Sequence, residues 1–128
     1  MAALVSLAAG CGLRQVKLNP TTLVPSAFGR LHVGHTTSGV TTLLMQVRAL
    51  AYPWELTPPR RVYVVWIAGL TNGAPTESGI LRVGPQLRAT LRTTTLLRAF
   101  DIFVTAEDQA HPLEPSGPEV LRASVDGH

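Results

Sequence analysis

Three polar side chains in the last third of the chain are of the types that hydrolysis requires. Asp108, His111 and Ser116 offer a carboxylate, an imidazole and a hydroxyl close together in sequence. Asp108 and His111 can meet in a loop, but Ser116 lacks the strand–turn–helix context of a nucleophile elbow. Turn capping and solubility explain these residues without catalysis. The sequence therefore predicts that the protein is not an enzyme, and only convergence of the three side chains would favour the alternative, a hydrolase with an unrecognised site.

Two histidines have a spacing that invites a metal-site interpretation. His32 and His35 are three residues apart, so on a strand they point to opposite faces. No carboxylate or cysteine lies near them in sequence, and the only cysteine is Cys11. Gly29 and Gly34 bracket a predicted strand and neither opens a helix, so there is no phosphate-binding loop. The sequence predicts no metal and no other cofactor.

Cys11 is the residue whose position is most informative. It ends the run Leu7-Ala8-Ala9-Gly10-Cys11, which resembles a bacterial lipobox. Residues 1–10 are then a signal segment, and Cys11 is the lipidation site that anchors the protein to a membrane outside the cytoplasm. The apolar run is short and no basic residue precedes it, which an additional upstream segment would explain. The alternatives are an N-terminal strand or helix with a buried thiol, and a plain secretory signal.

The two tryptophans have different sequence surroundings. Trp66 lies in an apolar run and is predicted to be a core residue. Trp54 and Tyr52 lie among prolines in the predicted loop 52–59, where Trp54 either is exposed to a partner or folds over the open end of the sandwich. We predict this pair as the contact surface for a glycan or an envelope protein. Exposed, coplanar rings would favour carbohydrate or cell-wall binding, and burial of both rings would exclude it.

Composition restricts the possible folds and partners. The chain has 128 residues, of which 45% are hydrophobic and 15% charged, with a formal net charge of +3. Ten prolines and eleven glycines are too many for a helical bundle of this length. The arginines are dispersed, and only Arg60 and Arg61 are adjacent, so the sequence predicts a solvated basic surface and no nucleic-acid partner.

Strand and turn signals alternate through most of the chain. They predict an all-β fold, an antiparallel, immunoglobulin-like β-sandwich of about seven strands. The predicted organisation is the signal segment 1–10, a tether over 11–27 and the sandwich over 28–128. Predicted strands lie at about 28–34, 40–50, 61–68, 79–83, 86–93, 100–106 and 119–125.

Four segments have the order and spacing of a known family. They are Tyr63-Val64-Val65-Trp66, Gly79-Ile80-Leu81, the run from Phe100 to Glu107, and the run from Pro115 to Leu121. With them the chain resembles the extracytoplasmic domain of bacterial anti-sigma-K-type factors and related small lipoproteins. The resemblance implies a β-sandwich outside the cytoplasm. It does not imply inhibition of a sigma factor, because that activity belongs to a separate cytoplasmic domain. The expected function is thus an envelope-displayed, non-enzymatic binding, sensing or structural module.

Overall fold

The computed structural model describes residues 14–71 and 73–127, and this part of the chain is almost entirely β-structure, as predicted. Short 3₁₀ helices at Pro53–Glu55 and Pro85–Leu87 are its only helical elements. Its eight strands are β1 (Arg14–Pro20), β2 (Phe28–His35), β3 (Thr41–Arg48), β4 (Val62–Gly69), β5 (Thr76–Leu81), β6 (Ala89–Thr95), β7 (Phe100–Glu107) and β8 (Glu119–Val125).

The strands form one sheet instead of the two layers of the predicted seven-stranded sandwich. Their order is β5-β4-β7-β8-β1-β2-β3-β6, and each paired neighbour is antiparallel. The edge strands approach each other, since Val83, two residues after β5, forms a bridge with Ala89, the first residue of β6. A Cβ on Gly79 of β5, where φ is +151°, would lie 3.0 Å from the side chain of Leu91 in β6. The sheet therefore nearly closes into a barrel.

Strand β1 corrects the predicted tether. Residues 14–20 lie inside the segment 11–27, yet they pair with β2 from Arg14 to Leu18. Asn19 and Pro20 then pair with β8, so β1 joins the two halves of the sheet. Leu18 is fully buried. The alternation of apolar and polar residues in β1 is short, and prolines stand at its end and beyond it. The signals for turns were therefore stronger here than the signal for a strand.

The interior of the barrel is filled by alternate residues of the strands. In β4 these are Tyr63, Val65 and Ile67, each less than 5% exposed. The Tyr63 hydroxyl donates to the carbonyl of Ala51 at 2.7 Å. Burial raises the pKa of this phenol well above its usual range, and the nearby carboxylate of Glu55 raises it further. Tyr63 is thus a neutral core residue that ties β4 to the loop after β3.

A second apolar cluster lies on the outer face of the sheet. It consists of Val64 and Trp66 of β4 and Phe103 of β7, with both β4 residues fully buried. The prediction that β4 is buried on both faces, with Trp66 in a core, is confirmed. An outward-facing tryptophan can be fully buried only if another part of the chain covers it.

The β7–β8 loop, residues 108–118, provides that cover. At one end Glu107 accepts hydrogen bonds from the backbone N–H groups of Ser116 and Gly117, both at 3.1 Å. Farther along, His111 contacts Glu77 of β5 at 2.7 Å. Glu77 pairs with Trp66 across the β4–β5 ladder, so its side chain shares the outer face. These attachments on β7 and β5 carry the loop across β4, over the Trp66 cluster.

Glu107 is a buried carboxylate that accepts the hydrogen bonds at this end of the β7–β8 loop. It is 1% exposed. The Trp66 indole N–H donates to Thr105 Oγ1 at 2.8 Å, and the Thr105 hydroxyl donates to Glu107 Oε2 at 2.6 Å. Ser116 Oγ donates to Glu107 Oε1 at 2.7 Å. Burial by itself raises the pKa of Glu107, but the hydrogen bonds from Thr105, Ser116 and Gly117 outweigh it and hold the pKa below its usual value.

Candidate functional site

The most distinctive surface is the outer face of β1, β2, β3 and β6. Antiparallel pairing aligns one outward residue from each strand in rows that run across the sheet. Two such rows are Lys17–Arg30–Gln46–Thr90 and Gln15–His32–Leu44–Arg92. At the end of the same face, Val47 pairs with Ala89, Arg48 follows Val47 and Arg88 precedes Ala89. We call Lys17, Arg30, Arg48, Arg88 and Arg92 the basic face.

All five cations of the basic face are exposed, and none forms an ion pair with another described residue. The chain has eight acidic residues, and every one lies on β5, β7 or β8 or in a loop. Arg14 lies at the margin of the face and is not one of the five. It forms an ion pair with Asp126 at 3.0 Å. Clustered like charges repel one another, so this face is well suited to a partner that brings negative charge.

Phe28 holds two of these arginines in place. Its ring lies in the face at the end of β2 and is 38% exposed. The guanidinium carbons of Arg30 and Arg48 lie 5.0 and 5.4 Å from the ring centroid, within cation–π range. Arg30 also donates to Gln15 at 3.4 Å. These contacts reduce the rotamer freedom of the two guanidinium groups before any ligand arrives.

Two shallow depressions follow the basic face. The larger, about 690 Å³, lies between Arg14, His32, Leu44 and Arg92. The smaller, about 300 Å³, lies between Phe28, Arg48 and Arg88. Neither is an enclosed cavity, which suits an extended ligand better than a small molecule that needs burial.

The two histidines lie on opposite faces of β2, as their spacing predicts. His32 is in the basic face and its Nε2 bonds to Gln46 at 3.0 Å, while Nδ1 of His35 bonds to Thr41 Oγ1 at 3.2 Å. Residues 14–71 and 73–127 contain no group of three or more potential metal ligands from His, Cys, Asp and Glu.

Tyr52 and Trp54 do come together, as a stacked pair that we call the aromatic shelf. Their ring centroids are 5.0 Å apart and their planes differ by 7°. Trp54 is 59% exposed, whereas Tyr52 beneath it is half-buried. The rings are therefore parallel, but one lies on the other and they do not form a continuous plane. The exposed ring of Trp54 is the surface that remains available.

The loop that bears the aromatic shelf is braced by its own backbone. The N–H of Arg60 donates to the carbonyl of Pro53 at 2.9 Å, and the N–H of Tyr52 donates to Glu55 at 3.3 Å. The Tyr52 hydroxyl donates to the carbonyl of Gly84 at 3.3 Å. These bonds hold the residues on both sides of Trp54 and the Tyr52 ring on which it stacks.

A cavity of about 250 Å³ lies beside Trp54. Apolar side chains of β4 and β5, including Val62 and Ile80, form part of its wall, and Arg61 and Arg82 stand at its edge. Both arginines are exposed, and neither forms an ion pair with another described residue. An aromatic ring, an apolar wall and two cations thus surround one small cavity.

The aromatic shelf adjoins one end of the basic face, at Arg88. Tyr52 is bonded to the carbonyl of Gly84, and the N–H of Gly84 donates to the carbonyl of Arg88 at 2.8 Å. Arg88 belongs to the basic face. One hydrogen-bonded residue, Gly84, therefore connects the two surfaces.

Asp108, His111 and Ser116 do not form a catalytic group. Asp108 pairs with Arg60 at 3.4 Å, His111 with Glu77, and Ser116 with Glu107. Each side chain holds the β7–β8 loop at a different point, so their shared position in sequence reflects a structural role.

The basic face was not found by sequence reasoning. The available signal was the recurrence of basic residues on one face of a strand, as at Arg88 and Arg92, which are four residues apart. That pattern shows which residues share a face of one strand but not which strands are neighbours.

Cys11 lies outside the described residues. No helix in the described part of the chain has the length and apolar character needed to cross a membrane. No protein family model matches the chain, and no similar curated protein was found. The resemblance to the extracytoplasmic domain of anti-sigma-K-type factors therefore stays an expectation.

Proposed function

We propose that the protein is a non-enzymatic binding module of the bacterial envelope, lipid-anchored at Cys11, and that its basic face binds polyanions. The observation that carries the proposal is the set of five exposed cations without ion pairs, four on β1, β2, β3 and β6 and Arg88 directly before β6, on strands that bear no acidic residue. The lipobox-like sequence before Cys11 and the family resemblance support the location.

A polyanion fits this face better than a single small anion. Adjacent strands lie about 4.8 Å apart, so a row across β1, β2, β3 and β6 extends about 14 Å. The cations are distributed over several rows instead of converging on one point. A ligand with repeated charges can contact several of them at once and gains affinity from the release of its counterions.

The anchor would hold the domain close to the membrane. Arg14, the first residue of β1, follows Cys11 by three positions (14 − 11). Three extended residues span at most about 10 Å. The basic face, of which β1 is one strand, would therefore stand beside the bilayer or the polymers next to it, and not at the end of a long tether.

Charge reversal on the basic face should weaken binding of long-chain polyphosphate. We expect Arg30→Glu and Arg92→Glu each to reduce affinity about tenfold at low salt and to lower the slope of log K against log salt by about 1. Arg98→Glu, an exposed arginine between β6 and β7, is the matched control and should have a much smaller effect. Titration calorimetry at several salt concentrations measures both quantities. A wild type that does not bind polyphosphate, or an equal loss with Arg98→Glu, would contradict the proposal.

The lipid anchor has its own test in the native host. The wild type should partition with membranes, carry the mass of acyl chains and begin at Cys11, because two or more chains give stable anchoring. Cys11→Ala should be released and lack that mass. A wild type that is soluble and retains Met1 would show that the lipobox pattern is accidental, while leaving the polyanion test unaffected.

A further inference from the structure

We propose that the polyanion is an acidic glycan, one of whose uronic acid residues docks at the aromatic shelf with its ring on Trp54 and its carboxylate toward Arg61 and Arg82. The inference rests on the proposed function, since the same polymer would continue onto the basic face. It adds the chemical class of the ligand and a second binding surface.

The exposed ring of Trp54 is suited to stack on a sugar. The C–H groups on one face of a pyranose carry partial positive charge, and the face of an indole is electron-rich. Tyr52 supports the other side of the indole at 5.0 Å, and its hydroxyl is tied to Gly84. A sugar would therefore meet a ring that is already positioned, which lowers the entropy lost on binding.

The two arginines beside the cavity indicate that the sugar is acidic. Arg61 and Arg82 border the same 250 Å³ cavity as Trp54. A guanidinium binds a carboxylate through two parallel N–H···O bonds, which a neutral sugar cannot accept in the same way. Because neither arginine has an ionic partner among the described residues, neither must break an ion pair to bind a ligand.

The proximity of the shelf to the basic face favours a polymer. Gly84 bonds to the Tyr52 hydroxyl and to the backbone carbonyl of Arg88, so a chain that occupies the shelf would extend toward Arg88 and Arg48, which line one depression. A glycan fits better than single-stranded nucleic acid, which typically stacks successive bases on several aromatic rings. On the basic face the ring of Phe28 already has the guanidinium groups of Arg30 and Arg48 against it, and the imidazole of His32 is bonded to Gln46.

The test compares four probes of similar length on the intact protein: oligogalacturonate, neutral maltooligosaccharide, polyphosphate and oligo-dT. We expect oligogalacturonate to bind most tightly and to change the fluorescence of Trp54, since Trp66 is buried. Trp54→Ala should weaken oligogalacturonate about tenfold while changing polyphosphate affinity less than about twofold. Arg82→Gln should reduce the preference for the acidic over the neutral glycan, and Arg98→Gln should not. Trp54→Phe, which keeps a ring, should retain part of the affinity.

The other outcomes separate the two proposals. Equal binding of oligogalacturonate and polyphosphate, unchanged in Trp54→Ala, would overturn the glycan inference and leave the polyanion function in place. Preference for oligo-dT would overturn it in favour of single-stranded nucleic acid, and equal binding of the neutral glycan would exclude the role of the arginines. If neither oligogalacturonate, polyphosphate nor oligo-dT binds, both proposals are wrong.

Discussion

Replacing Trp66 by alanine should lower the free energy of unfolding by about 3–5 kcal/mol, the usual cost of removing a buried large aromatic side chain. Trp66 is fully buried on the face that the β7–β8 loop crosses, and it packs with Val64 and Phe103. Its indole N–H also begins the hydrogen-bonded series through Thr105 to Glu107. The substitution should therefore loosen the loop as well as leave a void. Denaturant unfolding with native-state hydrogen exchange at residues 108–118 measures both effects.

The other tryptophan is a matched control. Trp54→Ala removes the same side chain from a surface site that is 59% exposed, and it should cost less than about 1 kcal/mol. Trp66→Phe should lie between the two, because it keeps most of the apolar contact and loses the hydrogen bond to Thr105. If the unfolding curves of Trp66→Ala and Trp54→Ala coincide, the loop does not bury Trp66 as the structure shows.

Glu107→Ala should destabilise the protein by about 3 kcal/mol. The carboxylate accepts hydrogen bonds from Thr105, Ser116 and Gly117 and is 1% exposed. Its removal leaves two backbone N–H groups and two hydroxyls without their acceptor in a closed site, and hydrogen bonds to a charged group contribute about 1.5–3 kcal/mol. Small side chains are required next to it, because a Cβ on Gly117 would lie 1.7 Å from the carbonyl oxygen of Ala106. The loop therefore has little freedom to move into the vacated space.

The charge of Glu107 should also make stability depend on pH. Its pKa is lower in the folded protein than in the unfolded chain, so its contribution is fully present above the unfolded pKa of about 4.3 and is lost as pH falls through the folded value. Glu107→Gln keeps the shape, removes the titration and should cost less than Glu107→Ala. The stability difference between wild type and Glu107→Gln should therefore shrink as pH falls below about 4.3.

Chemical denaturation of the wild type and both Glu107 variants between pH 3 and pH 7 tests this. The difference between wild type and Glu107→Gln isolates Glu107 from other paired carboxylates such as Asp101 and Glu119, which contact Arg122. A pH-independent difference would show that the charge of Glu107 contributes no stability, and a Glu107→Ala variant as stable as wild type would show that the loop has other sufficient anchors.

The strands were predictable because their signals are local. A strand with one buried face needs alternating apolar residues, and β3 and β6 carry that alternation, whereas β4 and β7 are apolar enough to be buried on both faces. β8 has the predicted bounds, Glu119 to Val125. The single sheet and its near closure were not predictable in this way. They depend on β1 pairing with both β2 and β8, and the register of such pairs is decided between segments that are distant in the chain.

In the candidate sites, too, some features follow from the local sequence and others only from strand pairing. Tyr52 and Trp54 were predicted as contact residues from a proline-rich loop, and their proximity follows from a separation of two residues in a tight turn. Arg61 and Arg82 reach the same cavity only because β4 pairs with β5. Asp108, His111 and Ser116 are close together in sequence, but in the β7–β8 loop each of them contacts a different partner.

The sequence by itself determined the all-β class, the position of most strands and which face of its strand an arginine such as Arg48 or Arg92 shares with its neighbours. Only the tertiary structure decided that Lys17, Arg30, Arg48, Arg88 and Arg92 form one surface, because strand order and register bring together residues that the chain separates widely. It also placed all eight acidic residues elsewhere. The physical reason is that side-chain direction alternates with backbone geometry within one strand, whereas the neighbours of that strand are chosen by burial of the shared core.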